Sequence, residues 1–101
     1  MLVYNVTLQV DPTIETAWLH WMRTVHIPEV MATGCFTSHQ LNRLLDLDDA
    51  QAPTYTVQYQ APNREAYERY VQQFAPALRQ ASFDAWGNGF VAFRTLMEKL
   101  N

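Results

Sequence analysis

TAWLHWMRTVHIPEVMATGCF, residues 16–36, holds two of the three tryptophans, two of the three histidines and the only cysteine, with a proline inside a helical pattern. Ile14, Trp18, Trp21 and Val25 fall in one sector of a helical wheel, with Ala17 and Met22 at its edges. That spacing predicts a helix packed on a core by one face. Pro28 has no N–H and its ring clashes with the carbonyl of Thr24, so the regular helix is expected to kink or stop near His26. A proline is comfortable at the first position of a new helical segment, which predicts a short turn from Pro28 to Ala32, closed by Gly34. His26 and Glu29 stand three apart across this joint, close enough to pair where helical geometry survives. His26 therefore has two readings. Its imidazole caps carbonyls freed by the kink, or a His26–Glu29 pair faces a pocket as an acid–base or ligand group.

Upstream, Leu2 to Val10 alternates as a strand, with Leu2, Tyr4, Val6, Leu8 and Val10 on one face and Val3, Asn5, Thr7 and Gln9 on the other. Asp11 before Pro12 reads as the N-cap of the helix. Downstream, Cys35 to Leu47 is extended but mixed on both faces, which suggests a long edge strand with a bulge that switches parity. Residues 46–53, DLDDAQAP, read as an acidic loop. Thr54 to Gln60 is a second clean strand, with Tyr55, Val57 and Tyr59 on one face. Asn63 caps another helix, whose buried stripe is Tyr67, Tyr70, Val71, Phe74 and Leu78, and Pro76 interrupts it as Pro28 interrupts the first. A Gly87-Asn88-Gly89 turn leads to the last strand, Phe90 to Lys99.

The order β-α-β-β-α-β is ferredoxin-like, an α+β fold in a single domain over residues 1–101. Right-handed crossovers place two kinked helices on one face of a four-stranded antiparallel sheet, with the first and third strands central. Asn5, Thr7, Gln9, Thr56 and Gln58 then face away from the helices. This second face is polar but almost uncharged, which suits a surface covered by a partner or lining a cavity better than one open to water.

Charged residues are 17% of the chain and hydrophobic ones 49%, so the chain is expected to bury a core and not to remain disordered. Aromatics at 13% exceed what one small core hides easily, pointing to an interface or a lined cavity. With a net charge of -3 and no basic run, nucleic acid is not an expected partner. One cysteine makes no internal disulfide and no metal site alone. Neither a leader pattern nor a membrane-spanning run is visible, and a cytoplasmic location is expected.

VYNVTLQVDP, WLHWMRTVHIPEVMATGCF, TYTVQY and FVAFRTLMEKL together resemble a bacterial family known only as a domain of unknown function, over nearly all of the chain. HIPEV and AFRT are the most specific parts of that resemblance. The element order is also similar to the dimeric α/β-barrel superfamily, in which two ferredoxin-like sheets pack face to face. That superfamily includes cofactor-free monooxygenases, haem-degrading enzymes, dye-decolourising peroxidases and binding proteins. The resemblance thus implies a homodimer with pockets between sheet and helices, and transfers no activity.

Motifs with chemistry are few: no phosphate loop, no Cys-x-x-Cys, no His-x-x-x-His and no nucleophile elbow occur. No metal site and no cofactor are expected, and catalytic residues are not assigned. Candidates for lining a ligand pocket are Asn5, Thr7, Trp21 and His26, with Glu29, His39, Gln58 and Arg94. Arg94, on an otherwise apolar strand face, needs an anion: Glu98, an acid of the other subunit, or an acidic ligand. His20 reads as a surface residue, Cys35 as a small buried one and Trp86 as a core plug. Two functions remain. One is a homodimeric barrel that binds a small molecule, and the other is a small monooxygenase-like enzyme, cofactor-free or haem-type. Haem-degrading relatives place an asparagine on the first strand, which Asn5 matches, and a ligating histidine on the second helix, where this chain has none.

Overall fold

The computed structural model describes residues 1–48 and 50–101. Among the described residues the order is β1 (Leu2–Val10), α1 (Glu15–Trp21), α2 (Ile27–Ala32), β2 (Ser38–Arg43), β3 (Thr54–Ala61), α3 (Arg64–Arg69), α4 (Ala75–Trp86) and β4 (Phe90–Glu98). The four strands form one antiparallel sheet in the order β2-β3-β1-β4, so β1 and β3 are central as the alternation implied. Tyr4, Leu8 and Val10 of β1 and Tyr55, Val57 and Tyr59 of β3 are buried beneath the helices. Asn5 is paired with Gln58 and Thr7 with Thr56 on the opposite face.

Each pair of helices is one continuous rod. A π-helical turn, Met22–His26, joins α1 to α2, and another, Tyr70–Phe74, joins α3 to α4. In the first, the Ile27 N–H reaches back five residues to the Met22 carbonyl; in the second, the Ala75 N–H reaches the Tyr70 carbonyl. Pro28 and Pro76 each come one residue later, at the second position of the next α-helix. The wider turn moves the preceding carbonyls out of the way of the pyrrolidine ring, so each rod passes its proline without breaking.

That device corrects the wheel. In an α-helix Val25 would lie on the Trp18–Trp21 stripe, but the π turn adds a residue and rotates the side chains downstream of it. Val25 is 37% exposed, and Trp18, Met22, Ile27 and Val30 carry the buried face. Asp11 is also not the helix cap. Its carboxylate accepts from the Thr13 N–H and hydroxyl, which holds it below the usual aspartate range, and α1 begins only at Glu15. Asn63 does cap α3, accepting from the Ala66 N–H at 2.8 Å. Gly34, at φ 76°, comes after the first rod as expected.

β2 is shorter than the sequence suggested and has no parity switch. It occupies an edge and runs in unbroken register from Ser38 opposite Gln60 to Arg43 opposite Tyr55. Cys35 and Phe36 are buried before it begins, and Leu44 and Leu45 are exposed after it ends, which is why the composition looked mixed. Within the predicted loop 46–53, residue 49 lies outside the described residues.

Trp18 is fully buried and packs against the Tyr55 ring at 5.2 Å, while His20, two residues on, is exposed. Trp18→Ala should therefore cost about 3–5 kcal/mol and His20→Ala well under about 1 kcal/mol in urea unfolding. Equal losses would mean the rod presents another face to the sheet.

Candidate functional site

The π turns have a second consequence. Residues five apart on an α-helix point about 140° from each other. Across the first π turn, Trp21 and His26 instead lie on the same side and stack, with ring centroids 5.1 Å apart and planes 20° from parallel. Trp86 closes against the far edge of Trp21 at 6.0 Å, and its indole N–H is buried without a partner. The second π turn presents Tyr70, which stands beside Tyr4 and Phe36 in an aromatic cluster.

Tyr4, Trp21, His26 and Tyr70 help to line a cavity of about 60 Å³ between the rods and the sheet. Its floor is β1 and β3, through Tyr4, Val6, Leu8, Val57 and Tyr59. The first rod gives Trp18, Trp21, Met22 and His26. The second rod gives Tyr70, Leu78, Arg79 and Ser82, and β4 gives Phe90 and Arg94.

Of the residues picked out in the sequence, Trp21, His26 and Arg94 meet in this cavity. Asn5, Thr7 and Gln58 do not; they lie on the other face of the sheet. His39 is on the helix side, opposite Tyr59, but exposed on the edge strand. Glu29 is exposed and lines a separate shallow groove with Thr33, Gln73 and Phe74. The proposed His26–Glu29 pair is thus absent, because the π turn directs the imidazole across to α4. Nor does the ring turn back to cap the Thr24 carbonyl: His26 Nδ1 lies 3.5 Å from Ser82 Oγ. Ser82 also donates to the Leu78 carbonyl at 3.1 Å.

Burial, with the Arg94 charge adding to it, pushes the His26 imidazole from its usual 6.5 down to about 4. It is a neutral group at physiological pH. Burial likewise raises the Tyr59 and Tyr70 hydroxyls well above the ordinary tyrosine range, so both stay protonated. Arg79 donates to the Tyr4 hydroxyl at 3.3 Å. Arg94 does not pair with Glu98, which lies four residues along the same strand, roughly 13 Å away.

Tyr4, Arg79 and Ser82 also line the cavity and are not among the residues picked out in the sequence. For Ser82 a signal existed: it continues the apolar stripe of the second helix four residues beyond Leu78, and a hydroxyl there needs a buried partner. Arg79 carried no such mark.

The family described as a domain of unknown function, DUF4286, matches residues 1–100. No curated protein matches the chain. Solved structures similar to it include HapK from Hahella chejuensis, at TM-score 0.73 and 13% identity, covering 100% of this chain and 94% of that one. A dimeric ferredoxin-like protein from an uncultured marine organism has TM-score 0.70 and 9% identity, with 100% and 96% covered. SnoaB, a cofactor-independent oxygenase from Streptomyces nogalater, has TM-score 0.58 and 12% identity, with 99% and 93% covered. At such identities the likeness establishes the fold.

The depressed His26 pKa makes a pH forecast. The unfolded chain binds a proton at His26 below about pH 6.5 and the folded chain only below about 4, so between these values the unfolded state holds more protons and stability falls as pH falls. The stability contributed by the neutral imidazole is complete above about 6.5, and roughly 3 kcal/mol of it should be lost by pH 4. Urea unfolding of the wild type and His26→Gln across this window measures it. The variant should show a flatter dependence, and parallel curves would place the imidazole in water.

Proposed function

The chain belongs to the DUF4286 family, and we propose that it is a single-domain, cytoplasmic homodimer of the dimeric α/β-barrel type that binds a small molecule in the cavity between rods and sheet. The observation that carries this reading is the division of labour between the two faces of the sheet. One face closes, with the rods, around a cavity holding a neutral imidazole and two arginines. The other bears no charged side chain on its central strands, and β4 adds Val91 and Phe93, 51% and 55% exposed, with Met97.

The uncharged face suits a second copy. Some of its polar groups satisfy one another: the Asn5 amide donates to Thr7, and the Asn42 amide to Thr56. Neutral groups already paired are far cheaper to bury than charges. The similar marine protein is described as dimeric, which supports the same assembly here. Asn5, Thr7 and Gln58 would then lie at the seam between the sheets, and the seam should bury on the order of 2,000 Å² in total.

A second reading, a cofactor-free oxygenase, is favoured by the aromatic lining of the cavity, in which Tyr4, Trp18, Trp21, Tyr59 and Tyr70 surround a few polar groups. The fold likeness to SnoaB supports it. A haem-type enzyme fits poorly, because the cavity of about 60 Å³ cannot take a macrocycle and α3 and α4 carry no histidine.

Light scattering should give twice 11.7 kDa at micromolar concentration, and Phe93→Asp should give a monomer. Native mass spectrometry of the gently purified dimer should show an added small-molecule mass that disappears in Leu78→Trp, where the cavity is filled. A monomeric wild type would contradict the assembly, and a bound mass retained in Leu78→Trp would place the ligand elsewhere.

A further inference from the structure

Cations and acids are unevenly shared in the cavity. Arg79 comes from α4 and Arg94 from β4, so two separate elements each supply a guanidinium to the lining. Both arginines are exposed, whereas Tyr4, Leu8, Trp18 and Val57 deeper in the lining are buried. The positive groups therefore stand at the mouth, over an apolar interior. Among the described residues no aspartate or glutamate lines the cavity. Arg79 spends one donor on Tyr4, out of the five that a guanidinium carries.

Nothing else in the lining balances these charges. The imidazole is neutral, and the Tyr59 and Tyr70 hydroxyls are kept protonated by burial. The Arg94 charge reaches far enough inward to disfavour a proton on His26. An apolar interior with two forked cations at its rim, and no anion inside, is complementary to a molecule with an apolar body and one planar anionic head. Two guanidinium groups bind a carboxylate through charge-assisted hydrogen bonds, roughly twice as strong as neutral ones. The cavity volume limits the buried body to a few heavy atoms, well below the roughly 150 Å³ that accepts a benzene ring.

We propose that the cavity binds a small organic monocarboxylate, its short apolar body packed against Trp21, Met22 and Val57 and its carboxylate held at the mouth between Arg79 and Arg94. This rests on the small-molecule reading above and names the chemical class.

The test uses the fluorescence of Trp18 and Trp21, which line the cavity. The dimeric protein is titrated with isobutyrate and benzoate, each against the alcohol of the same skeleton, isobutanol and benzyl alcohol, and with inorganic phosphate. Isobutyrate should bind at least about tenfold more tightly than isobutanol and than benzoate, whose ring exceeds the cavity, and Arg94→Gln and Arg79→Gln should each remove about tenfold of that affinity while leaving the alcohol unaffected. Thermal melts confirm that the variants are folded, and should Arg79→Gln unfold through loss of its Tyr4 bond, Arg94→Gln alone decides. Alcohols binding as tightly as acids, with the arginine variants indifferent, would overturn this inference and leave the cavity reading intact. Phosphate competing as well as isobutyrate would reduce the site to a bare anion patch and overturn it too. No saturable change with any of the five would overturn both readings.

Discussion

A proline has no N–H to give to the carbonyl of the preceding turn, and both helical rods of this protein meet that constraint in the same way. Each widens to a π turn directly before the α-helix that contains its proline. The register shift then decides which side chains look at the sheet. It sends Val25 to solvent and carries His26 onto the side of Trp21, and in the second rod it presents Tyr70 to the Tyr4 cluster. Without it His26 would sit about 140° away from Trp21 and the cavity would lose its only imidazole.

The cavity's electrostatics derive from that placement. An imidazole pressed against an indole and a serine, with a guanidinium nearby, is held neutral. Tyrosines buried among other rings keep their protons. The charges left are those of Arg79 and Arg94, both at the rim. The fold thus sets an uncharged, partly apolar surface and this asymmetric cavity on the two sides of one sheet.

Much of this was legible in the sequence. The alternation in Leu2–Val10 and Thr54–Gln60 gave both central strands and their inward faces, because a two-residue period admits no drift along a strand. The role of the prolines was visible but not their outcome. Residue spacing reveals a break in an α-helix, and does not say whether the chain kinks, stops or widens. That one ambiguity put Val25 on the wrong face and paired His26 with Glu29. β2 was overextended because Phe36 and Leu44, at its flanks, are apolar for other reasons: one is buried in the aromatic cluster and the other lies past the last ladder pair. Asn5, Thr7 and Gln58 were grouped with the cavity residues although their parity already assigned them to the other face. Arg79 and Ser82 meet His26 and Arg94 only through tertiary packing.

The cavity depends on the backbone of the two rods, and NMR couplings transmitted across hydrogen bonds read that backbone directly. They should connect the Ile27 amide nitrogen to the Met22 carbonyl carbon and the Ala75 amide nitrogen to that of Tyr70, five residues back in each case. Couplings from Ile27 to Arg23 and from Ala75 to Val71 would mean unbroken α-helical register, with Val25 turned inward and His26 out of the cavity, and would contradict it.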